Sequence, residues 1–235
     1  MNTRFIELLA RFNAKTCRFD IGIGGGGGPI IGQAEVADGL TAIQDRIGGA
    51  ILCCTAWPDS RSAYIGDVQG FARAALIEEH DRRLMVYRDA LAEAERESRE
   101  VTPRRSQSRS RAEILLSAAK AQLWPDWRKN VERYSRIPEV AVDEITRCPT
   151  VCISCGGNRT VRKFGKEVDC DACEGTGMYR AAHGHRARAI GVRRQTYRQT
   201  WAQPYEYIHA ELIDRMWTAA ADFSDRIKAN LRAAG

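Results

Sequence analysis

The chain has 235 residues, of which 44% are hydrophobic, and its formal net charge at pH 7 is +6. This length and composition predict one or two globular domains that are able to form a hydrophobic core. A membrane-spanning helix is excluded, because no apolar run in the sequence approaches the roughly 20 residues that such a helix needs.

The N-terminal residues do not resemble a secretory signal, because no A-x-A-like cleavage site follows a sustained apolar core. We therefore expect a cytoplasmic protein. In that reducing compartment, the eight cysteines of the chain point to a metal site rather than to disulfide bonds.

The positive charge is concentrated in residues 151–200. This window holds ten basic and four acidic side chains, which leaves the rest of the chain neutral overall. Such a concentration is typical of a surface that meets phosphates, and a basic surface that serves only solubility is the alternative.

Residues 1–32 are predicted to be a flexible N-terminal segment. A short amphipathic helix fits residues 1–19, and the five consecutive glycines Gly24–Gly28 then precede Pro29. The glycine run lacks the Gly-Lys-Ser/Thr ending of a P-loop and the spacing of a dinucleotide-binding loop, so it favours a linker.

Residues 33–101 are predicted to form an N-terminal helical region. Apolar residues over Val36–Ile47 recur at steps of three and four, and this helix is expected to end before Gly48. The turn Trp57–Ser60 is expected to cap a second, long helix that continues to about Glu100.

Residues 102–111 contain no apolar side chain and are predicted to be a basic linker. Beyond it we expect one helix over residues 112–123, a second that restarts at Trp124–Asp126, and a third that follows Pro138. The second helix carries an apolar face, and this spacing favours packing in the core over stacking of its aromatic rings on a ligand. The residues of this face are Trp124, Trp127, Val131, Tyr134 and Ile137.

The strongest local signal is a pair of Cys-x₂-Cys motifs separated by fourteen residues. The four cysteines are Cys152, Cys155, Cys170 and Cys173. Two residues between cysteines let both thiolates point into one tetrahedron, and four thiolates are a ligand set that Zn²⁺ takes in structural sites. The spacing therefore predicts one structural Zn²⁺ in a small zinc ribbon over residues 148–180.

Between the cysteine pairs, the alternation of Val161, Phe164 and Val168 predicts two short strands joined by a turn at Gly165. Four thiolates leave no coordination position open for water or substrate, so a catalytic metal is not expected. Alternative ligands are Cys148, His183 and His185.

Residues 183–203 fit the template of a helix-turn-helix. A small residue, Ala187, lies four positions before the turn glycine Gly191, and Tyr197 and Trp201 are expected to face the core from the second helix. An ordinary helical hairpin with a polar face is the alternative. The residues predicted to contact DNA are of types that reach base edges and phosphates, namely Arg186, Arg188, Arg193, Arg194, Gln195, Thr196, Arg198 and Gln199.

Pro204 is expected to break that helix, and a final helix over 205–232 carries an apolar stripe from Ile208 to Leu231. The predicted fold class is therefore mainly α, a helical bundle with a helix-turn-helix and a small inserted Cys₄ zinc ribbon. Residues 112–235 are predicted to form the DNA-binding part of the chain.

The order of these motifs resembles the late-gene antitermination protein Q family of lambdoid phages. The resemblance covers roughly residues 112–230, and residues 1–35 have no counterpart in that family. The residues that carry it are Cys152, Cys155, Cys170, Cys173, Gly175, Gly177, Tyr179, Arg180, Thr200, Trp201, Pro204 and Tyr205.

The resemblance implies a phage- or prophage-encoded antitermination factor that acts in the cytoplasm of a bacterial host cell. Proteins of this kind bind double-stranded DNA at the late promoter and engage RNA polymerase that holds its sigma factor at a promoter-proximal pause. They then make the polymerase resistant to pausing and to terminators. No membrane, small-molecule substrate or enzymatic activity is expected.

Two other functions fit parts of the sequence. One is a zinc-containing helix-turn-helix repressor or activator that does not load onto polymerase. The other is a cochaperone-related zinc module, because Cys170–Gly177 is a complete C-x-x-C-x-G-x-G unit. J-domain cochaperones carry four such units, however, and the His-Pro-Asp tripeptide of their J domain does not occur in this sequence.

Overall fold

The computed structural model of the protein describes residues 33–57, 61–100, 111–147, 152, 154–178 and 180–233. The predictions for residues 1–32, for Cys148 and for nearly all of the basic linker lie outside the described residues. Among the described residues, no helix combines the length and the apolar character needed to cross a membrane.

The described chain is mainly helical with one two-stranded sheet, which confirms the predicted class at this level. The helices are α1 (Gln33–Thr41), α2 (Arg46–Ala56), α3 (Arg61–Glu100), α4 (Arg111–Ala121), α5 (Val131–Arg147), α6 (His183–Ala189), α7 (Arg194–Thr196) and α8 (Ala202–Ala233). A 3₁₀ turn at Trp127–Lys129 precedes α5, and a π-helical turn at Tyr197–Trp201 joins α7 to α8. The strands β1 (Thr160–Lys163) and β2 (Lys166–Asp169) pair antiparallel, with Lys163 opposite Lys166.

Helix α8 is the centre of the core, and it packs against α1, α2 and α5. Its predicted apolar stripe is confirmed, because it is buried from Ile208 to Ile227. Burying one Leu, Ile, Met or Phe side chain stabilises a protein by about 1.5–3 kcal/mol, so this single stripe is a large part of the driving force for folding.

The two helical regions on either side of the predicted linker share one core. Leu52 of α2 and Leu76 of α3 belong to the same buried cluster as Ile137 of α5 and Leu212 of α8. The segment around residues 102–111 therefore connects elements of one core. Of the apolar face predicted around α5, Trp124 is buried as expected, together with Tyr134 and Ile137, whereas Val131 is exposed.

The expected end of the first helix before Gly48 is wrong. The helix α1 ends at Thr41, and Gly48 lies inside α2, whose N-terminus is capped by the Asp45 carboxylate accepting the N–H of Ile47 at 3.0 Å. The glycine is needed for a close helix contact, because a Cβ at Gly48 would lie 2.4 Å from the backbone oxygen of Arg215 in α8.

Both prolines that were expected to separate helices lie inside them instead. Pro138 is within α5, where Ile137 and Ala141 are fully buried, so packing of this face outweighs the missing backbone hydrogen bond. Pro204 is within α8, directly after the π-helical turn, in which the N–H of Ala202 donates to the carbonyl of Tyr197 five residues earlier. Pro204 is buried in the core, so its packing favours the helix despite the backbone hydrogen bond that a proline cannot donate.

Replacing Gly48 by alanine is expected to lower the free energy of unfolding by about 1–3 kcal/mol, because the added methyl group overpacks the α2–α8 contact. Urea denaturation followed by circular dichroism measures this change. Gly66 in α3 is the matched control, since a Cβ there has nothing within 4 Å. Gly66→Ala should leave stability unchanged or raise it by about 0.5–1 kcal/mol through helix propensity. Equal effects of the two substitutions would contradict the close contact.

Candidate metal centre and nucleic-acid interface

Four buried cysteine side chains meet at the end of the ribbon where β1 begins and β2 ends, and their Sγ atoms all lie within 4.8 Å of one another. Two of these distances are 3.8 Å, from Cys152 to Cys170, and 3.7 Å, from Cys155 to Cys173. Four sulfurs around one ion with bonds of about 2.3 Å are separated by about 3.8 Å in a tetrahedron. The predicted cysteine set is therefore brought together in a geometry that can hold one metal ion.

Backbone groups around the cluster favour the ionised sulfurs. The N–H of Gly177 donates to Sγ of Cys173 at 3.2 Å, and Gly177 has a φ of +76° that glycine adopts readily. Burial opposes ionisation of the Cys152 thiol, but hydrogen bonds from nearby backbone N–H groups outweigh it and lower its pKa to about 7. Burial raises the pKa of the Cys155 and Cys173 thiols, so among these three sulfurs only Cys152 forms a thiolate near neutral pH, ready to bind a metal cation.

The ribbon is fixed to the final helix by polar contacts. Trp217 of α8 donates its indole N–H to the carbonyl of Thr176 at 3.0 Å. Arg159 bridges the two units, because it donates to the carbonyl of Gly175 at 2.7 Å and to the carboxylate of Asp214 in α8 at 2.6 Å. The metal cluster is therefore attached directly to the helix that centres the core.

Helix α6, a tight turn and α7 follow the ribbon. The turn has the hydrogen bonds of a glycine C-cap, since the N–H of Val192 donates to the carbonyl of Ala187 at 2.9 Å and Gly191 has a φ of +76°. Tyr197 and Trp201 are buried as expected. Val192, the residue after the turn glycine, packs against the edge of the core.

Most of the predicted DNA-contacting side chains are exposed on this unit. The exposed residues are Arg188, Arg193, Arg194, Gln195, Thr196, Arg198 and Gln199. Within the part of the chain that the structure describes, the four arginines of this group form no ion pair with a carboxylate. Their positive charge is therefore available to an anionic partner.

Arg186 is the exception, and its predicted contact with DNA is wrong in this structure. Its side chain is 1% exposed and lies between two carboxylates. Its Nε donates to Glu144 of α5 at 2.8 Å, and its Nη1 donates to Glu206 of α8 at 2.6 Å. A guanidinium that is paired on both sides inside the protein cannot reach a phosphate.

Glu144 is the acceptor around which this buried contact is organised. Besides Arg186, it accepts the hydroxyl of Tyr205 at 2.7 Å and the backbone N–H of Ala181 at 3.0 Å. His209 Nε2 also lies 3.3 Å from its carboxylate. Burial opposes ionisation of Glu144, but its contacts with His209 and Arg186 outweigh that cost and lower the pKa of its carboxyl. Glu144 thus ties α5, α6 and α8 together as an ion.

The ion pairs continue from this cluster to the metal centre. Arg180 contacts Glu206 on one side and Glu174, the neighbour of Cys173, on the other. Charged residues of alternating sign therefore connect the cysteine cluster with α6. No local motif marks this arrangement in the sequence, because the partners of Arg186 lie 42 and 20 residues away along the chain.

Two arginines of α5 that the sequence reasoning missed lie beside the turn. A Cβ at Gly191 would be 3.0 Å from Nη1 of Arg136, and the guanidinium of Arg133 is 6.0 Å from the ring centroid of Trp201. Arg136 is paired with Glu132 of the same helix. Arg136 is thus the guanidinium at the turn and is already paired, whereas Arg133 lies at Trp201; only the fold brings them there.

The alternative histidine ligands lie apart from the sulfur cluster, since the described ligand group contains the four cysteines alone. His183 instead stands at the start of α6, with its ring 5.5 Å from that of Tyr197 and its Nδ1 3.5 Å from Arg198. Burial lowers the pKa of His183, which favours its neutral form.

Searches against known proteins found no match, whether among family models, curated proteins or solved structures. The resemblance to the antitermination family therefore stays a prediction that its motifs carry.

Proposed function

We propose that this chain is a zinc-containing transcription factor that binds double-stranded DNA through α6, the Gly191 turn and the helix that starts at Arg194. The observation that carries the proposal is the group of exposed arginines and glutamines on this unit, none of them paired with a carboxylate among the described residues. Arginine contacts guanine or phosphate, and glutamine contacts adenine, when such a helix enters the major groove.

Zinc is the metal that the site chemistry favours. Four cysteine thiolates in a closed tetrahedral cluster are typical of structural Zn²⁺ in a reducing compartment, where disulfides do not persist. The protein's part is to hold the sulfurs in place and to donate the Gly177 N–H to one of them. The ion would supply folding energy to the ribbon, not a reaction step.

The finer proposal is late-gene antitermination. It rests on the motif order that resembles the lambdoid phage family, and on the neutral helical remainder of the chain, which suits docking on protein. RNA polymerase holoenzyme is the proposed partner. A single-round transcription assay on a template with a promoter-proximal pause and a downstream terminator tests this: the protein should raise read-through. DNA binding without read-through would favour the repressor or activator alternative.

Replacing Arg194 by alanine is expected to weaken binding to duplex DNA by about 5- to 150-fold, because a lost arginine contact to a base costs about 1–3 kcal/mol. The probe is a duplex that the wild-type protein selects from a random pool, and the measurement is an electrophoretic mobility shift. Wild-type affinity for this duplex should also fall steeply between 50 and 200 mM salt, since phosphate contacts release counterions.

Arg73→Ala is the matched control for that experiment. Arg73 is exposed on α3 and forms no ion pair within the described ranges, so its removal changes the net charge equally but away from the turn. Gln195→Ala should weaken binding to the selected duplex as well. Wild-type affinity in both Arg194→Ala and Gln195→Ala would refute the assignment of this surface to DNA.

A further inference from the structure

The tip of the ribbon, Arg162–Lys166, carries an aromatic residue that folding does not require. Phe164 is fully exposed, more so than any other large hydrophobic side chain in the described ranges. Its ring adds nothing to the core or to the cysteine cluster, which is packed only by Val161. A single exposed apolar side chain is common on protein surfaces, so a partner is inferred from the ring together with the backbone and the charges around it.

The backbone at the tip is also unfavourable for this residue. Phe164 has a φ of +50°, and Gly165 follows with a φ of +77°. A two-residue hairpin turn with both residues in the left-handed region prefers Asn-Gly, because asparagine tolerates this region far better than a bulky side chain. Phenylalanine therefore occupies a position where asparagine would suit the turn better.

The two lysines on either side of the Phe164–Gly165 turn repel each other. Lys163 lies directly opposite Lys166 in the strand register, and like charges at opposed positions destabilise a sheet. Lys163 has Asp171 as an ion-pair partner, and Arg162 lies opposite Glu167 in the register, whereas Lys166 has no acid paired with it or opposite to it in the described part of the chain. An anion placed at the tip would relieve this repulsion.

We propose that Arg162–Lys166 binds single-stranded nucleic acid, with the Phe164 ring stacked on an unpaired base and the basic side chains against the flanking phosphates. Every base offers a π-face, so such stacking tolerates many sequences. A single strand is favoured over a duplex because its bases are already accessible, whereas inserting a ring into a duplex requires unstacking. This contact lies outside the α6–turn–α7 surface and does not depend on that surface binding DNA.

The test uses the zinc-loaded full-length protein and fluorescence anisotropy with two labelled probes, dT12 and U12. Wild type should bind at least one of them, and Phe164→Ala should weaken that binding by about 5- to 150-fold, the range typical for loss of one stacked base. Phe164→Trp should retain it. Binding of either probe supports the proposal.

Phe164→Asn separates a binding role from a structural one. Asparagine suits the turn, so thermal stability should be equal to or above that of wild type while single-strand binding falls as in Phe164→Ala. Arg194→Ala is expected to keep single-strand binding and lose duplex binding, so failure of one proposal can be told from failure of the other.

Three results would overturn the inference. They are no binding of wild type to either probe at 100 mM salt, unchanged binding in both Phe164→Ala and Phe164→Asn, and binding of wild type to vesicles containing phosphatidylserine that is stronger than its binding to either probe and is lost in Phe164→Ala. The last result would identify the tip as a contact for an anionic membrane instead.

Discussion

Replacing Cys170 by serine is expected to abolish metal binding and to unfold the ribbon while the helical core stays folded. The cysteine cluster of the ribbon is packed only by the partly buried Val161, and the buried Met178 belongs to the main core, so the ribbon has almost no apolar core of its own. Structural zinc sites in small peptides supply about 10–16 kcal/mol of apparent binding energy, and this energy is also the folding energy. The helices around α8 share a separate buried cluster that does not need the ion.

Metal content by inductively coupled plasma mass spectrometry should be one zinc per wild-type chain and close to zero for Cys170→Ser. Limited proteolysis should then cut within the ribbon, while far-UV circular dichroism keeps most of its helical signal. Cys53→Ser is the matched control, because Cys53 is a half-buried cysteine of α2 outside the cluster. Full metal content in Cys170→Ser, or equal loss in Cys53→Ser, would contradict the four-cysteine site.

Replacing Arg186 by methionine should destabilise the protein by about 3–5 kcal/mol. Methionine keeps much of the volume but leaves the Glu144 carboxylate buried, without the guanidinium that contacts both of its oxygens. Breaking one side of a buried ion pair costs this much because the remaining charge is neither hydrated nor neutralised. The effect would be a large fraction of the 5–15 kcal/mol that stabilises a typical domain.

Urea denaturation measures this change, and two further variants locate its cause. Arg188→Met, two residues away on the exposed side of α6, should change stability by less than about 0.5 kcal/mol. The double variant Glu144→Gln with Arg186→Met should recover part of the loss, since it removes the unpaired buried charge. Similar destabilisation by the two arginine substitutions would show that Arg186 is not held as the structure places it.

The residues of one helix, α6, show how far sequence reasoning reaches. The motif template predicted its start, its small residue Ala187 and the turn at Gly191, all of which follow from local backbone rules. The template did not predict that Arg186 is buried and Arg188 exposed, because both are arginines in the same basic stretch. Only the carboxylates of Glu144 and Glu206, brought in by α5 and α8, decide that Arg186 is buried.

The sequence by itself determined what depends on spacing along the chain. The Cys-x₂-Cys motifs predicted the sulfur cluster, and the apolar period of the last helix predicted its buried stripe, because neighbours in the sequence set both patterns. Only the tertiary structure decided that Gly48 serves a helix contact and that Pro204 continues a helix. The tertiary structure also decided that the Phe164 side chain is exposed to solvent. Burial depends on which distant parts of the chain pack together, and no short-range sequence pattern encodes this packing.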